Sequence, residues 1–272
     1  MERPFAAAGL GCACLLTACG GGSFAPGAPD GSAPADAMPL EAASAEAGSW
    51  CSTQSKLFCA DFDETDQVMD VLLKWSSYSQ SGGTFALANS PSNPSPPNAL
   101  SVTSSTGGTT LVVQGISLAG KTFTRLHLEF DFRVDKVPTV DLLATGAFAA
   151  IGFDPGALTD SAVAVAVGSL GKSLELVYSQ PDAGQGGFRA SGGAFPTLGV
   201  WSGRLAVEIE YSAAGPCAQL YQGVVPALSP CLPLPPTTFA KPSTIAIALG
   251  FVSIGNASGA SLEFDNVTFE AD

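Results

Sequence analysis

A single histidine, His127, stands in the whole 272-residue chain. That rules out any multi-histidine metal centre. A serine nucleophile would have only His127 as its base, and no G-x-S-x-G elbow accompanies it. CxxC spacing is missing, so the cysteines lack the pattern of a zinc site. Phosphate-cradling loops, nucleotide fingerprints and basic aromatic patches are absent as well. Charged residues are scarce at 13%, and their balance is acidic, with a formal net charge of −13. Nucleic acid and anionic membrane surfaces repel such a protein, so neither is expected as a partner. Neutral glycans and cations are compatible with it, and solubility alone would also account for the charge.

No apolar run is long enough for a stable membrane anchor. The longest candidate, "FAAAGLGCACLLTA" (residues 5–18), follows a short polar start with Arg3 and has the layout of a secretory signal. It ends in "LTAC", Leu16 to Cys19, which resembles the lipobox of bacterial lipoproteins, in which the cysteine becomes the lipidated first residue. The resemblance implies residues 1–18 as signal peptide, lipid on Cys19 and an envelope location. Gly20, in place of an acidic residue, fits outer-membrane sorting.

The same reading resolves an odd count of seven cysteines. Cys12 and Cys14 leave with the signal, Cys19 carries lipid, and four remain to pair in an oxidising compartment. Three connectivities are open to them. The sequence-local choice is Cys51–Cys59 with Cys217–Cys231. Residues 19–49 are dominated by Gly, Ala, Pro, Ser and Asp, bury too little apolar surface to offset their ordering entropy, and read as a disordered tether.

From residue 50 onward, short strand-like runs alternate with Gly, Pro, Ser and Asn clusters. "TRLHLEFDFRVD" is the clearest. Leu126, Leu128, Phe130, Phe132 and Val134 face one way, and Arg125, His127, Glu129, Asp131, Arg133 and Asp135 the other, which describes a long antiparallel strand with one buried face. "SLELVY" (173–178) and "RLAVEIEY" (204–211) read similarly. "SAVAVAVG" (161–168) and "TIAIALGF" (244–251) are apolar on both faces and suit central strands, large residues inward and small ones lining the second face. "ETDQVMDVLLKW" (64–75) has the one helical pattern. With no βαβ rhythm and no internal repeat, the expectation is an all-β, two-sheet antiparallel sandwich over residues 50–272.

"LFCADFDE" (57–64), Trp75, "SPPNALSV" (95–102), "GVWSGRLAVEIEY" (199–211) and "LEFDNVTF" (262–269) together resemble the concanavalin A-like lectin/glucanase superfamily, and within it the laminin-G-like jelly rolls of bacterial lipoproteins. The resemblance implies a jelly roll with its first and last strands adjacent. It also implies a structural Ca²⁺ where those strands meet, with Asp63 or Glu64 and Asp265 as oxygen ligands; the alternative is that Asp265 and Asn266 hydrogen-bond loop backbone and hold the sheet ends.

Retaining β-glucanases of that superfamily carry an ExDxE strand whose outer glutamates are nucleophile and acid/base. Glu129 and Asp131 match its first two positions, and Arg133 stands at the third, where a guanidinium has no proton to give. The face of Arg125, His127, Glu129, Asp131 and Arg133 is thus either a set of charges paired across strands or a surface that hydrogen-bonds sugar hydroxyls. Trp75 and Trp201 are either stacking platforms or core-edge residues. The reading taken forward is a lipid-anchored, non-catalytic glycan-binding or adhesion module, with polysaccharide and the membrane as partners. A glycoside hydrolase-like enzyme using the Glu129/Asp131 strand and a structural envelope protein are the alternatives.

Overall fold

A computed structural model describes residues 50–89, 97–136, 145–153, 161–167, 173–179, 188–190, 195–196, 201–226, 231–254 and 259–272. All the described residues belong to one compact unit, residues 46–272. The expected signal peptide, the lipidation site Cys19 and the tether to residue 49 lie outside the described residues.

The domain is all-β. A 3-10 turn (Trp50–Thr53) leads to β1 (Phe58–Ala60), helix α1 (Val68–Lys74), β2 (Ser77–Asn89), β3 (Asn98–Ser117), β4 (Arg125–Lys136), β5 (Thr145–Gly152), β6 (Ala162–Val167) and β7 (Ser173–Ser179). There follow β8 (Phe188–Ala190), β9 (Phe195–Pro196), β10 (Trp201–Ser212), β11 (Gly215–Gln222), β12 (Val225–Pro226), β13 (Leu232–Pro233), β14 (Thr244–Ile254) and β15 (Ser261–Ala271). The strands run in the order β12-β11-β10-β4-β15-β3-β14-β5-β6-β7-β8, with β1 against β15 and β2 against β3. Among the described residues every pairing is antiparallel.

One long strand turns this ribbon of strands into a sandwich. The first half of β3 pairs with β15 through residues 100–103, and its second half pairs with β14 through residues 109–117. β2 follows it round the corner, slipping register between Ser81 and Gly83. Glycine makes that corner possible: Gly82 has φ 86°, and a Cβ on Gly108 would lie 1.9 Å from the Ser81 carbonyl oxygen. The front leaf is therefore β11-β10-β4-β15 with the start of β3, and the back leaf is the end of β3 with β14-β5-β6-β7.

The core lies between the leaves. β4 alternates half-buried and buried along its length, as its sequence pattern requires, and Leu126, Leu128, Phe130 and Phe132 are fully enclosed. Phe132 of the front leaf stacks on Phe148 of the back leaf, with centroids 4.6 Å apart and planes 8° from parallel. Burying each such side chain stabilises by about 1.5–3 kcal/mol. On β14, Ile245, Ile247 and Leu249 enter this core, while Ala246 and Ala248 join Leu111 and Val113 on the second face. Ala164 and Ala166 of β6 do likewise beside Ala147. The small residues thus line the second face as expected. β7 departs from its half-polar reading, because Val177 on its outer face is buried in the same alanine cluster.

Both sequence-local disulfides are formed, Cys51–Cys59 and Cys217–Cys231, with Cα atoms 5.6 and 5.9 Å apart. The helix is shorter than its pattern suggested. It begins at Val68 because Thr65 Oγ1 accepts the Gln67 N–H and donates to Asp70 in a side-chain turn that leaves Gln67 extended.

Candidate functional site

The charged face of β4 lies between β10 and β15, and register decides who meets whom. Arg204 of β10 stands opposite Asp131, and Glu208 opposite His127. Arg204 Nε donates to Glu129 Oε1 at 2.6 Å while Nη1 donates to Asp131 Oδ1 at 3.0 Å. One planar guanidinium thus spans both carboxylates of the glucanase-like pattern. Trp50 covers it, its ring centroid 5.7 Å from the Arg204 guanidinium carbon.

The other predicted face residues are also engaged. His127 Nδ1 lies 3.2 Å from Glu208 Oε2, and its Nε2 lies 3.9 Å from Glu129 Oε2, an ion-pair distance rather than a hydrogen bond. Arg125 reaches Glu208 at 3.2 Å and forks onto the Asp272 carboxylate. Arg133 donates to Asp135 at 2.7 Å and lies 3.8 Å from Glu263. His127 and Arg204 together outweigh burial and hold the Glu129 carboxyl down at about 2. Burial opposes a charge on His127, but Glu129 and Glu208 outweigh it and raise its affinity for a proton.

The second predicted cluster sits at a bulge in β15, where register against β4 slips between Asp265 and Thr268 and Asn266 takes φ 47°. Asp265 is fully enclosed; its Oδ1 accepts the Asn266 N–H at 2.8 Å and its Oδ2 has no partner. The Asn266 amide donates to Asp131 Oδ2 at 2.7 Å, and its own Oδ1 is buried without a donor. Asp63 accepts the Asn98 N–H at 2.8 Å, and Asp61 accepts the Cys51 N–H at 3.0 Å. Burial first, then the charges of Asp63, Asp131 and Asp61, push Asp265 up to about 8 against the easing hydrogen bond from Asn266.

Asp63 and Asp265 are therefore brought into one electrostatic neighbourhood. Glu64 is not, because it pairs with Lys74 of α1. Among the described residues, no three His, Cys, Asp or Glu side chains already converge as a metal-holding group.

Sequence reasoning missed Arg204 and Asp61, and gave Asn266 only as a partner of Asp265 in holding loop backbone, whereas its amide donates to Asp131. Arg204 was visible as an outward position of β10, but its partner depends on the β10–β4 register. Trp75 is buried at the core edge, edge-to-face with Phe58. The Trp201 side chain lies outside the described residues.

Such a curled pair of antiparallel leaves is consistent with a concanavalin A-like jelly-roll sandwich. No family model matches the chain, and no curated protein matches it. Among solved structures, the cellulose-induced protein Cip1 superposes with a TM-score of 0.53 at 11% identity, covering 79% of this chain and 97% of its own. A carbohydrate esterase from the Shiga toxin-encoding bacteriophage phi24B gives 0.51 at 12% identity, covering 80% and 99%. At these identities the likeness is one of fold.

Proposed function

We propose that this chain is a non-catalytic glycan-binding or adhesion module, held at the cell envelope, at the outer membrane, by a lipid on Cys19. Two fold neighbours named for cellulose induction and carbohydrate esterase activity support a glycan-related role. The observation that carries the non-catalytic part is the Arg204 clamp across Glu129 and Asp131. It engages Glu129 and Asp131, the first two positions of the glucanase pattern, in ion pairs, which leaves them acceptors for sugar hydroxyls and lowers the nucleophilicity that a glycosidase nucleophile needs. Arg133, at the acid/base position of the glucanase pattern, is itself tied to Asp135. The test is calorimetric titration of the full chain carrying Cys19→Ser with soluble polysaccharides. Saturable binding is expected; no binding to any of them would refute the reading.

Calcium at the β15 bulge belongs to the same proposal. The unpartnered, buried Asp265 Oδ2 and Asn266 Oδ1 are hard oxygen donors in an acidic neighbourhood, which fits the ion. Asp63, Asp265 and Asn266 would hold it. Bound there, it would supply the positive charge that the buried carboxylates lack, a structural rather than chemical contribution.

A further inference from the structure

A cavity of about 150 Å³ opens between β1 and α1, against the Cys51–Cys59 disulfide. We propose that it seats one neutral pyranose ring of a glycan, an inference that rests on the glycan-binding reading and gives it a location. Size comes first: a cavity of about 150 Å³ accepts a six-membered ring such as benzene, so it takes the ring face of a hexose while the exocyclic hydroxyls stay at the rim formed by Glu64 and Lys74.

The lining is the second argument. The half-buried Phe58 lines the cavity, edge-to-face at 5.2 Å with the buried Trp75 and beside the buried Phe62, so Phe58 offers most of the cavity's aromatic surface. Aromatic surface suits the C–H face of a sugar ring, which is apolar. Glu64 and Lys74 form an ion pair at the same cavity, with side chains 45% and 54% exposed. A carboxylate accepts several hydrogen bonds and an ammonium donates three, so this pair can serve both the donor and the acceptor side of ring hydroxyls.

Charge selects the class. The pair itself is neutral, Asp61 adds a carboxylate to the lining, and the chain as a whole is at −13. A uronate ring would therefore be repelled where a neutral hexose is not.

The cavity also adjoins the β4 face. Cys51 lines it, and the preceding residue, Trp50, covers Arg204. The charges of β4 are engaged with one another, so the ring-sized recess beside them is the better anchor for one residue of a polysaccharide lying along that face.

The experiment is calorimetry on the full chain carrying Cys19→Ser, titrated with cellohexaose, laminarihexaose and a hexamer of galacturonic acid. Two variants address the cavity: Glu64→Gln with Lys74→Met at its exposed rim, and Ala60→Phe, which fills it. Melting curves and disulfide mapping establish that each is folded, and the rim variant decides if Ala60→Phe does not fold. The expected result is that a neutral hexamer binds, that each folded variant weakens it at least tenfold, and that the uronate hexamer binds at least tenfold more weakly. If a folded variant binds like the wild type, the ring seat is wrong while glycan binding stands. Tighter binding of the uronate overturns the ligand class. If no hexamer binds the wild type, the glycan reading falls and the ring seat falls with it.

Discussion

Arg204 on β10 donates through Nε to Oε1 of Glu129 on β4 across 2.6 Å, and the same guanidinium also holds Asp131. The pair is mostly shielded, with the side chains 32% and 27% exposed. Its worth therefore falls between that of an exposed pair and that of a fully buried one. Arg204→Met is expected to cost about 1–2 kcal/mol by thermal or urea melting. Adding Glu129→Gln should recover part of that loss, because it removes the stranded charge. Additive losses in the double variant would mean that the two residues are not coupled.

The same network sets a pH dependence. Glu129 titrates near 2 in the folded chain against 4.5 for an unperturbed glutamate. A depressed carboxylate stabilises fully above its unfolded value, and that contribution disappears as pH falls from about 4.5 towards 2. His127 moves upward from 6.5, facing Glu129 and Glu208 with Arg125 and Arg204 nearby. Its contribution is complete below 6.5 and is lost as pH rises through the folded value. The melting temperature of wild type minus that of His127→Gln should therefore fall between slightly acidic and alkaline pH. A difference that is flat across that range would remove His127 from the network.

Asp265 is a buried acid whose second oxygen has no partner. Without added calcium, Asp265→Asn should raise the melting temperature by about 2–4 °C for each kcal/mol of relieved charge burial. Calcium at about 100 times its dissociation constant should stabilise the wild type by about 2.7 kcal/mol and the variant much less. Equal calcium responses in scanning calorimetry would place the ion elsewhere or nowhere on the chain.

Cys217 and Cys231, separated by 14 positions, close a loop between β11 and the β13 segment. Replacing both with alanine should cost about 3 kcal/mol in the chain-entropy picture. Non-reducing peptide mapping should recover this link and Cys51–Cys59. Free thiols at any of the four positions would contradict the pairing.

Lipid on Cys19 is tested by feeding labelled fatty acid. Wild type should incorporate label and sediment with membranes, and Cys19→Ser should do neither. A Cys19→Ser chain that still sediments with membranes would show that the attachment lies elsewhere.

What was legible in the sequence was local. Strict alternation from Arg125 to Asp135 reports a one-sided strand, because successive side chains must point to opposite faces. The alanines at 164, 166, 246 and 248 reported a second packed face for the same reason. Arg204 could not be matched to Glu129 and Asp131, since 75 and 73 residues separate them and only strand register brings them together. The bulge at Asp265 and Asn266 was hidden too, because an extra residue in a strand leaves the apolar pattern almost unchanged. Thr65 shortened the helix through a side-chain turn that periodicity does not register.

The central claim is that the β4 carboxylates bind rather than cleave. It is tested most directly by incubating the full chain carrying Cys19→Ser with each polysaccharide that it binds and following released oligosaccharides by mass spectrometry, beside Glu129→Gln. No products are expected from either protein; the variant should fold but melt lower, because Glu129→Gln removes one partner of the Arg204 ion pair, and it should show at most a weaker affinity. Sustained product release by the wild type that Glu129→Gln abolishes would contradict it and make this strand a catalytic one.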